Sequence, residues 1–384
     1  MAAARKRRCA LYNLARPPWL PMGDHGGHVS VPPQQGETCR VVRRSKAAGG
    51  SGAPPRTSCP ATKIPPPDRA PAVKLYYADH FVLPLPAGHR FPMEKYSRLR
   101  ERLLASGVFA ASDFRVPDAA TDTEILRAHD PAYLVRVAAG TLDAVEMRRI
   151  GFPWSPAMVE RSRRSAGATL AACRSALEAG EGCAANLAGG THHAHRDFGS
   201  GFCVFNDAAI AALAMRAEGR ARRVAIIDCD VHQGDGSAAI LAGETDVFTC
   251  SLHGAKNFPF RKQVSDLDIE LPDDTGNEAY LAALDEALEH ILDGFRPELA
   301  IYLAGAGPYA GDRLGRLSLS MDGLAARDER VLGRCRAAGV PVAIAMAGGY
   351  ASEIDDTVAI HATTVLTAAR LFGPADRCRI AIDV

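Results

Sequence analysis

The sequence predicts a single α/β domain on a mostly parallel, doubly wound sheet with helices on both faces. Two observations lead there. Several short apolar runs of strand length, each bounded by Gly, Asp or Pro, lack the in/out alternation of a half-exposed strand, as strands covered on both faces do. Between them lie longer stretches with apolar residues at helical spacing, so strand and helix patterns take turns along the chain.

The pattern begins at Val73. VKLYYA reads as a first strand, and MEKYSRLRERLLASG (93–107) as an amphipathic helix. Helical patterns follow in TDTEILRAH (121–129), PAYLVRVAAG (131–140) and PAMVERSRRSAGATLAACRSALEAG (156–180). CAANLAG is the next strand and VFNDAAIAALAMRAEG the next helix. Three strand patterns then come in succession, RVAIIDCD, DVFTCSL and DLDIELP, before the helix NEAYLAALDEALEHILDG (277–294). ELAIYLAG, the helix MDGLAARDERVLGRCRAAG, VPVAIAMAGG and a helix from Glu353 to Phe372 complete the series. The domain is thus placed at 73–372, with a short C-terminal tail at 373–384 and no internal repeat.

Residues 1–72 differ in texture. They hold 12 of the 25 prolines and 12 Lys/Arg against 3 Asp/Glu, with no surviving apolar period. Such a segment cannot bury enough apolar area to offset the entropy of ordering. It reads as a disordered basic tail or an extension upstream of the natural start, in preference to a targeting peptide, since prolines interrupt any amphipathic helix.

Of 384 residues, 47% are hydrophobic and 23% charged, the balance of an ordinary globular protein. No run of 18 apolar residues occurs, so no membrane span is expected. The net charge of +1 hides a body (73–384) with 33 Lys/Arg against 41 Asp/Glu, and nothing there suggests direct nucleic-acid binding. The ten cysteines include no C-x-x-C pair, which points to free thiols in a reducing cytoplasm.

Candidate chemistry falls at the carboxyl ends of the strand runs, where sites form in such sheets. Asp228-Cys-Asp230-Val-His232-Gln-Gly-Asp235-Gly closes one strand. If the chain stays extended, Asp228, Asp230 and His232 point the same way. Crowded carboxylates need a cation or protons to offset their repulsion, and Asp with His suits Zn²⁺. Gly189-Gly190-Thr191-His192-His193 follows another strand and places two imidazoles where they could relay protons. His195 reads as an ordinary satisfied histidine. Ala347-Gly348-Gly349-Tyr350 could present a phenol to a developing oxyanion. Trp154 reads equally as a rim residue or a buried aromatic.

Taken together, GGTHHAHRDFGSGFCVFND, IIDCDVHQGDG, TCSLH and AGGY, in that order, resemble the histone deacetylase family of the arginase–deacetylase fold, from about Val73 to Phe372. The form of AHDPAYL and AGDRLG is most similar to the class IV and related bacterial deacetylase-like group. The resemblance implies that Asp230 and His232 are zinc ligands. It implies that His193, backed by Asp235, is the general base and acid, and that His192, backed by Asp228, is its electrostatic partner. Tyr350 would polarise the amide carbonyl. Asp228, Asp230, His232, Ser251 and Leu252 would hold a structural potassium ion, and Gly201 and Phe202 would line a narrow acyl-lysine tunnel. Substrates would be acyl-lysine proteins or small acylated amines such as acetylpolyamines.

One position departs from the family pattern. In AGAGPYAGDRLG, Gly307 stands where the third zinc ligand, an Asp, is expected. Asp312 is already part of the pattern and is a poor substitute. The chain would therefore be a pseudoenzyme that binds acyl-lysine without turnover, a deacetylase whose site completes itself with water and works poorly, or a chain whose glycine is a sequence variant or error. Gly307→Asp would be expected to restore the site if the backbone there suits a side chain. Gly305, Gly307 and Gly311 mimic a dinucleotide fingerprint, but the spacing is a variant and no helix opens after them. The run D-x-D-x-H differs from the D-x-H-x-D of two-metal ureohydrolases, and no G-x-S-x-G elbow occurs.

A chain beginning at Val73 is expected to unfold at the same thermal midpoint as the full chain. A drop in that midpoint would show that the tail packs on the domain.

Overall fold

A computed structural model describes residues 73–373 except 179 and 181. The expected tail at 1–72, and 374–384 of the expected C-terminal tail, lie outside the described residues.

Among the described residues, eight strands form one sheet in which every pairing is parallel. They are β1 (Lys74–Tyr76), β2 (Phe114–Arg115), β3 (Cys183–Asn186), β4 (Val224–Asp228), β5 (Val247–Gly254), β6 (Leu267–Leu271), β7 (Leu299–Leu303) and β8 (Val342–Ala345). Their order across the sheet is β2-β1-β3-β8-β7-β4-β5-β6. The long helices are α1 (Lys95–Ala105), α5 (Pro156–Ala176), α6 (Asp207–Ala217), α8 (Asn277–Glu289), α9 (Met321–Ala337) and α10 (Ile354–Phe372). Shorter ones are α2 (Asp122–Ile125), α3 (Pro131–Ala139), α4 (Ala144–Ile150) and α7 (Asp235–Leu241).

Successive β4 residues explain the missing alternation. Ala225 and Ile227 pack into one apolar cluster, Val224 and Ile226 into another, and all four are buried. Both faces of the strand are covered, so both must be apolar. Local signals set the helix starts. Ser155 caps α5 by accepting from Met158 N with Pro156 following, and Asp130 caps α3 in the same way ahead of Pro131. Among the described residues, no helix is long and apolar enough to cross a membrane.

The sequence pattern missed three elements: β2, α4 and α7. The signal for α4 was present, because Asp143 and Glu146 form a capping box. The expected helix at 121–129 is helical only over Asp122–Ile125, and the one at 277–294 ends as a π turn over His290–Phe295. Helix α7 begins inside the motif that closes β4, so Asp235 lies in a first helical turn.

The topology brings the chemistry together. After β3 the chain crosses to β4, steps outward to β6, and returns to fill the gap with β7 and β8. The segments following β3, β8, β7 and β4 therefore leave the sheet side by side, at the switch point where such sheets bind ligands. Beneath them lies a buried ion pair. Arg327, fully buried on α9, donates to the carbonyls of Gly305 and Cys229, the loops after β7 and β4. Its partner Asp328 accepts from Arg327 Nε (2.9 Å), Tyr302 Oη (2.5 Å) and Thr364 Oγ1 (2.6 Å).

Removing one member of such a pair strands the other charge. Arg327→Met is expected to lower the unfolding free energy by about 3–5 kcal/mol, read by urea denaturation. A loss within ordinary surface values would mean that the pair carries little.

Candidate active site

The first segment to reach the site is the turn after β3. Gly189 and Gly190 are left-handed (φ 77° and 71°), and a Cβ on Gly190 would run into Ala347. Asp207, buried in the first turn of α6, pins this turn by accepting from Gly190 N (2.9 Å), Thr191 N (2.7 Å) and the Thr191 hydroxyl (2.8 Å). The sequence reading passed over Asp207, since a lone Asp in a helical pattern carries no motif.

The turn delivers His192 and His193 as neighbours, their ring centroids 4.1 Å apart. His192 Nδ1 lies 2.6 Å from Asp228 Oδ2, and His193 Nδ1 lies 2.6 Å from Asp235 Oδ1. Each carboxylate fixes one ring nitrogen and leaves Nε2 as the reactive one. The two environments diverge. Burial opposes charge on His192, but Asp228, with Asp230 and Asp235 farther off, outweighs it and raises its pKa to about 9. Burial and the neighbouring His192 charge lower that of His193 to about 4, against the pull of Asp235. His195, read as an ordinary satisfied histidine, is satisfied by the other oxygen of Asp235 at 3.1 Å and stacks on Phe198. Despite burial, hydrogen bonds from the two histidines hold the Asp235 carboxyl well below its usual range.

The segment after β4 is not extended as expected. Asp228 is the last strand residue, and the chain then bends twice: Asp230 N donates to Asp228 Oδ1 (3.0 Å) and His232 N to Asp230 Oδ1 (2.9 Å). Side-chain oxygens that capture the backbone N–H two residues on favour turns over strand. Convergence of Asp228, Asp230 and His232 comes from these bends, not from a two-residue repeat. Asp228 pairs in register with Ser251 on β5, so Ser251 and Leu252 lie beside this segment, and Ser251 Oγ sits 2.9 Å from His253 Nδ1.

Asp230 Oδ1 lies 3.0 Å from His232 Nδ1, and Oδ2 accepts from Gly348 N (2.9 Å). These are the two side chains that the sequence motifs nominated as zinc ligands. Gly307, on the loop after β7, contributes none. Among the described residues, no group of three or more His, Cys, Asp or Glu side chains could hold a metal ion. The residues present therefore do not fit a three-ligand zinc site. Gly307 does not have the positive φ that would exclude a side chain, but a Cβ there would lie 2.5 Å from Val231 Cγ1 and 3.1 Å from Val231 Cβ. Space, not backbone conformation, resists an aspartate.

Asp312 does not fill the gap. Its Oδ1 accepts from Leu314 N (2.8 Å) and Gly315 N (2.9 Å), and its Oδ2 from Tyr350 N (2.6 Å). It holds the segment that presents Tyr350, whose phenol is pushed up by burial and stays protonated as a donor.

His192, His193, Asp230, His232 and Tyr350 all line one cavity of about 1060 Å³, with Gly201 and Phe202 on its wall. Gly201 (φ 54°) lets the backbone pass His193, because a Cβ would lie 2.7 Å from its ring. Phe202 is itself left-handed (φ 67°), a strained conformation for an aromatic residue. Bonds from Gly201 N to Arg149 O (3.0 Å) and from Phe202 N to Ile150 O (2.7 Å) hold it there. Phe258, which no motif marked, meets His193 edge-on at 4.9 Å and adds a second aromatic wall. Trp154 is outside the cavity, donating to Val137 O (2.8 Å) and packing over Gly140.

A model of the histone deacetylase domain matches residues 89–366. The chain belongs to the histone deacetylase domain family. A Picosynechococcus protein of unassigned function is 43% identical over 75% of this chain and 95% of its own length. Histone deacetylase 2 of Arabidopsis thaliana is 32% identical over 68% of this chain and 70% of its own length. The crystal structure of the HDA15 HD domain shares the fold with a TM-score of 0.65 at 20% identity, covering 81% of this chain and 94% of that one. The family is one of deacetylases, which are amide hydrolases, and its fold is the one seen here.

Asp312→Ala would strand three backbone N–H groups. It is expected to destabilise the protein by more than about 2 kcal/mol and to leave metal content unchanged. A fall in bound zinc would identify Asp312 as a ligand.

Proposed function

We propose that the chain is a deacetylase-type amide hydrolase acting on acyl-lysine or a small acylated amine, impaired by the glycine at 307. The observation that carries this is the pair of His–Asp couples, each at 2.6 Å, beside Tyr350 at the end of one aromatic-walled cavity. At neutral pH His193 is the free base and His192 the imidazolium. His193 Nε2 takes a proton from the attacking water and returns it to the departing amine nitrogen as the C–N bond breaks. The His192 cation offsets negative charge gathering on the reacting carbon's oxygens, and the Tyr350 phenol donates to the former carbonyl oxygen. Phe202 and Phe258 suit the apolar stem of a lysine side chain.

Asp230 and His232 are the two side-chain donors left for zinc in this reading, one fewer than a catalytic site normally has. The expected potassium ion would draw largely on backbone carbonyls along Asp228, Asp230, His232, Ser251 and Leu252, and would offset the buried carboxylates. We place the chain in the cytoplasm, whose reducing conditions suit the six described cysteines, all buried and unpaired. One observation favours a second reading, acyl-lysine binding without turnover: Val231 occupies the space that a ligand at 307 would need.

Zinc per chain and the initial rate on an acetyl-lysine amide test both. Wild type is expected to hold well under one zinc and to turn over slowly. Gly307→Asp should raise both values at some cost in stability, since overpacking costs about 1–3 kcal/mol. Adding Val231→Ala should relieve the clash and bring the gain to roughly 100-fold, at the upper end of what outer-shell metal partners contribute. One zinc per wild-type chain, with turnover matching the double variant, would sink the impaired-site argument. Full zinc without turnover in the double variant would favour the binding reading.

A further inference from the structure

The cavity mouth has a charge opposite to that of the domain carrying it. The body from 73 to 384 has eight more acids than Lys/Arg, yet Arg90, Arg148, Arg149, Lys256, Arg313 and Arg316 all line this cavity, and all are exposed. Among the described residues, the only acid lining it is Asp230, fully buried. Lys256 and Arg316 share one carboxylate, Asp273, at 3.3 and 2.7 Å. Arg90, Arg148, Arg149 and Arg313 pair with no carboxylate among the described residues.

These cations come from four separate segments, so sequence neighbours do not explain the cluster. Arg90 follows β1, and Arg148 and Arg149 end α4. Lys256 follows β5, and Arg313 and Arg316 follow β7. Two of the segments are tied to the reacting end. The α4 terminus receives the backbone bonds from Gly201 and Phe202, and Arg313 Nε donates to the Tyr350 carbonyl at 3.1 Å. A ring of like charges costs repulsion unless a ligand relieves it, and a low-dielectric cleft focuses its field on whatever enters.

We propose that this ring selects acyl-lysine in an acidic sequence context: an acylated side chain enters the cavity while neighbouring carboxylates of the same peptide meet the arginines. The inference rests on the acyl-lysine reading above and narrows it. Polycationic substrates, whether basic protein tails or acetylated polyamines, are repelled at the mouth. The cations sit at the entrance while the His–Asp couples sit at the far end, so the selected charge lies on residues flanking the lysine, not on the acyl group.

The test is fluorescence anisotropy with short labelled peptides. Each carries one acetyl-lysine flanked by glutamates, serines or lysines, and a fourth glutamate-flanked peptide has the lysine unacylated. The acidic acetylated peptide is expected to bind roughly tenfold or more tighter than the basic one, a gap that narrows with added salt. An acetylated polyamine should compete poorly. Arg90→Glu with Arg148→Glu should erase or invert the preference while the serine-flanked peptide still binds. Equal binding of the acidic and basic acetylated peptides would overturn the proposal and leave the acyl-lysine reading standing. Retention of the preference in the double variant would overturn the assignment to this ring. Equal binding of the glutamate-flanked peptide with and without its acetyl group would remove the acyl-lysine reading itself.

Discussion

Asp228, Asp230 and Asp235 are carboxylates taken almost wholly out of water at the end of one buried strand. Buried charge of one sign is tolerable only where hydrogen bonds and opposite charges surround it, and most of the local architecture meets that demand. Asp228 and Asp235 each hold an imidazole, and Asp235 a second one in His195. Asp230 is met by the backbone N–H groups of His232 and Gly348, which draws the loops after β4 and β8 together. Underneath, Arg327 ties the loops after β4 and β7 to α9.

The same constraint explains why two adjacent histidines differ so much. His192 faces the denser side of the carboxylate cluster and is held as a cation. His193 lies against that cation and beside an aromatic ring, and is held neutral. A base and a positive charge stand side by side because their surroundings push their affinities for protons apart. The atoms nearest a Cβ at Gly307 all belong to Val231, not to either histidine or its carboxylate.

Val231 adds a steric constraint at that glycine. It lies between Asp230 and His232, fully buried, and its methyl group faces Gly307. Dense interiors leave little room for a new side chain, so the glycine and the valine form one packed unit. The cavity above keeps its aromatic walls and its ring of cations, features that bear on recognition more than on bond breaking.

The sequence by itself determined the layered architecture. Apolar runs without alternation require cover on both faces, and helical spacing between them supplies it. The ordered motifs likewise marked His192, His193, Asp228, Asp230, His232, Asp235, Gly307 and Tyr350. Tertiary structure alone decided how those residues meet. The bends after Asp228 depend on side-chain-to-backbone bonds that a strand pattern does not encode. Asp207, Asp312, Phe258 and Arg327 act through partners far away in sequence, so no local spacing announced them. The obstacle at 307 is a contact with Val231, and the cationic mouth gathers four segments into one ring. Both are properties of proximity across the sheet, which a linear pattern does not carry.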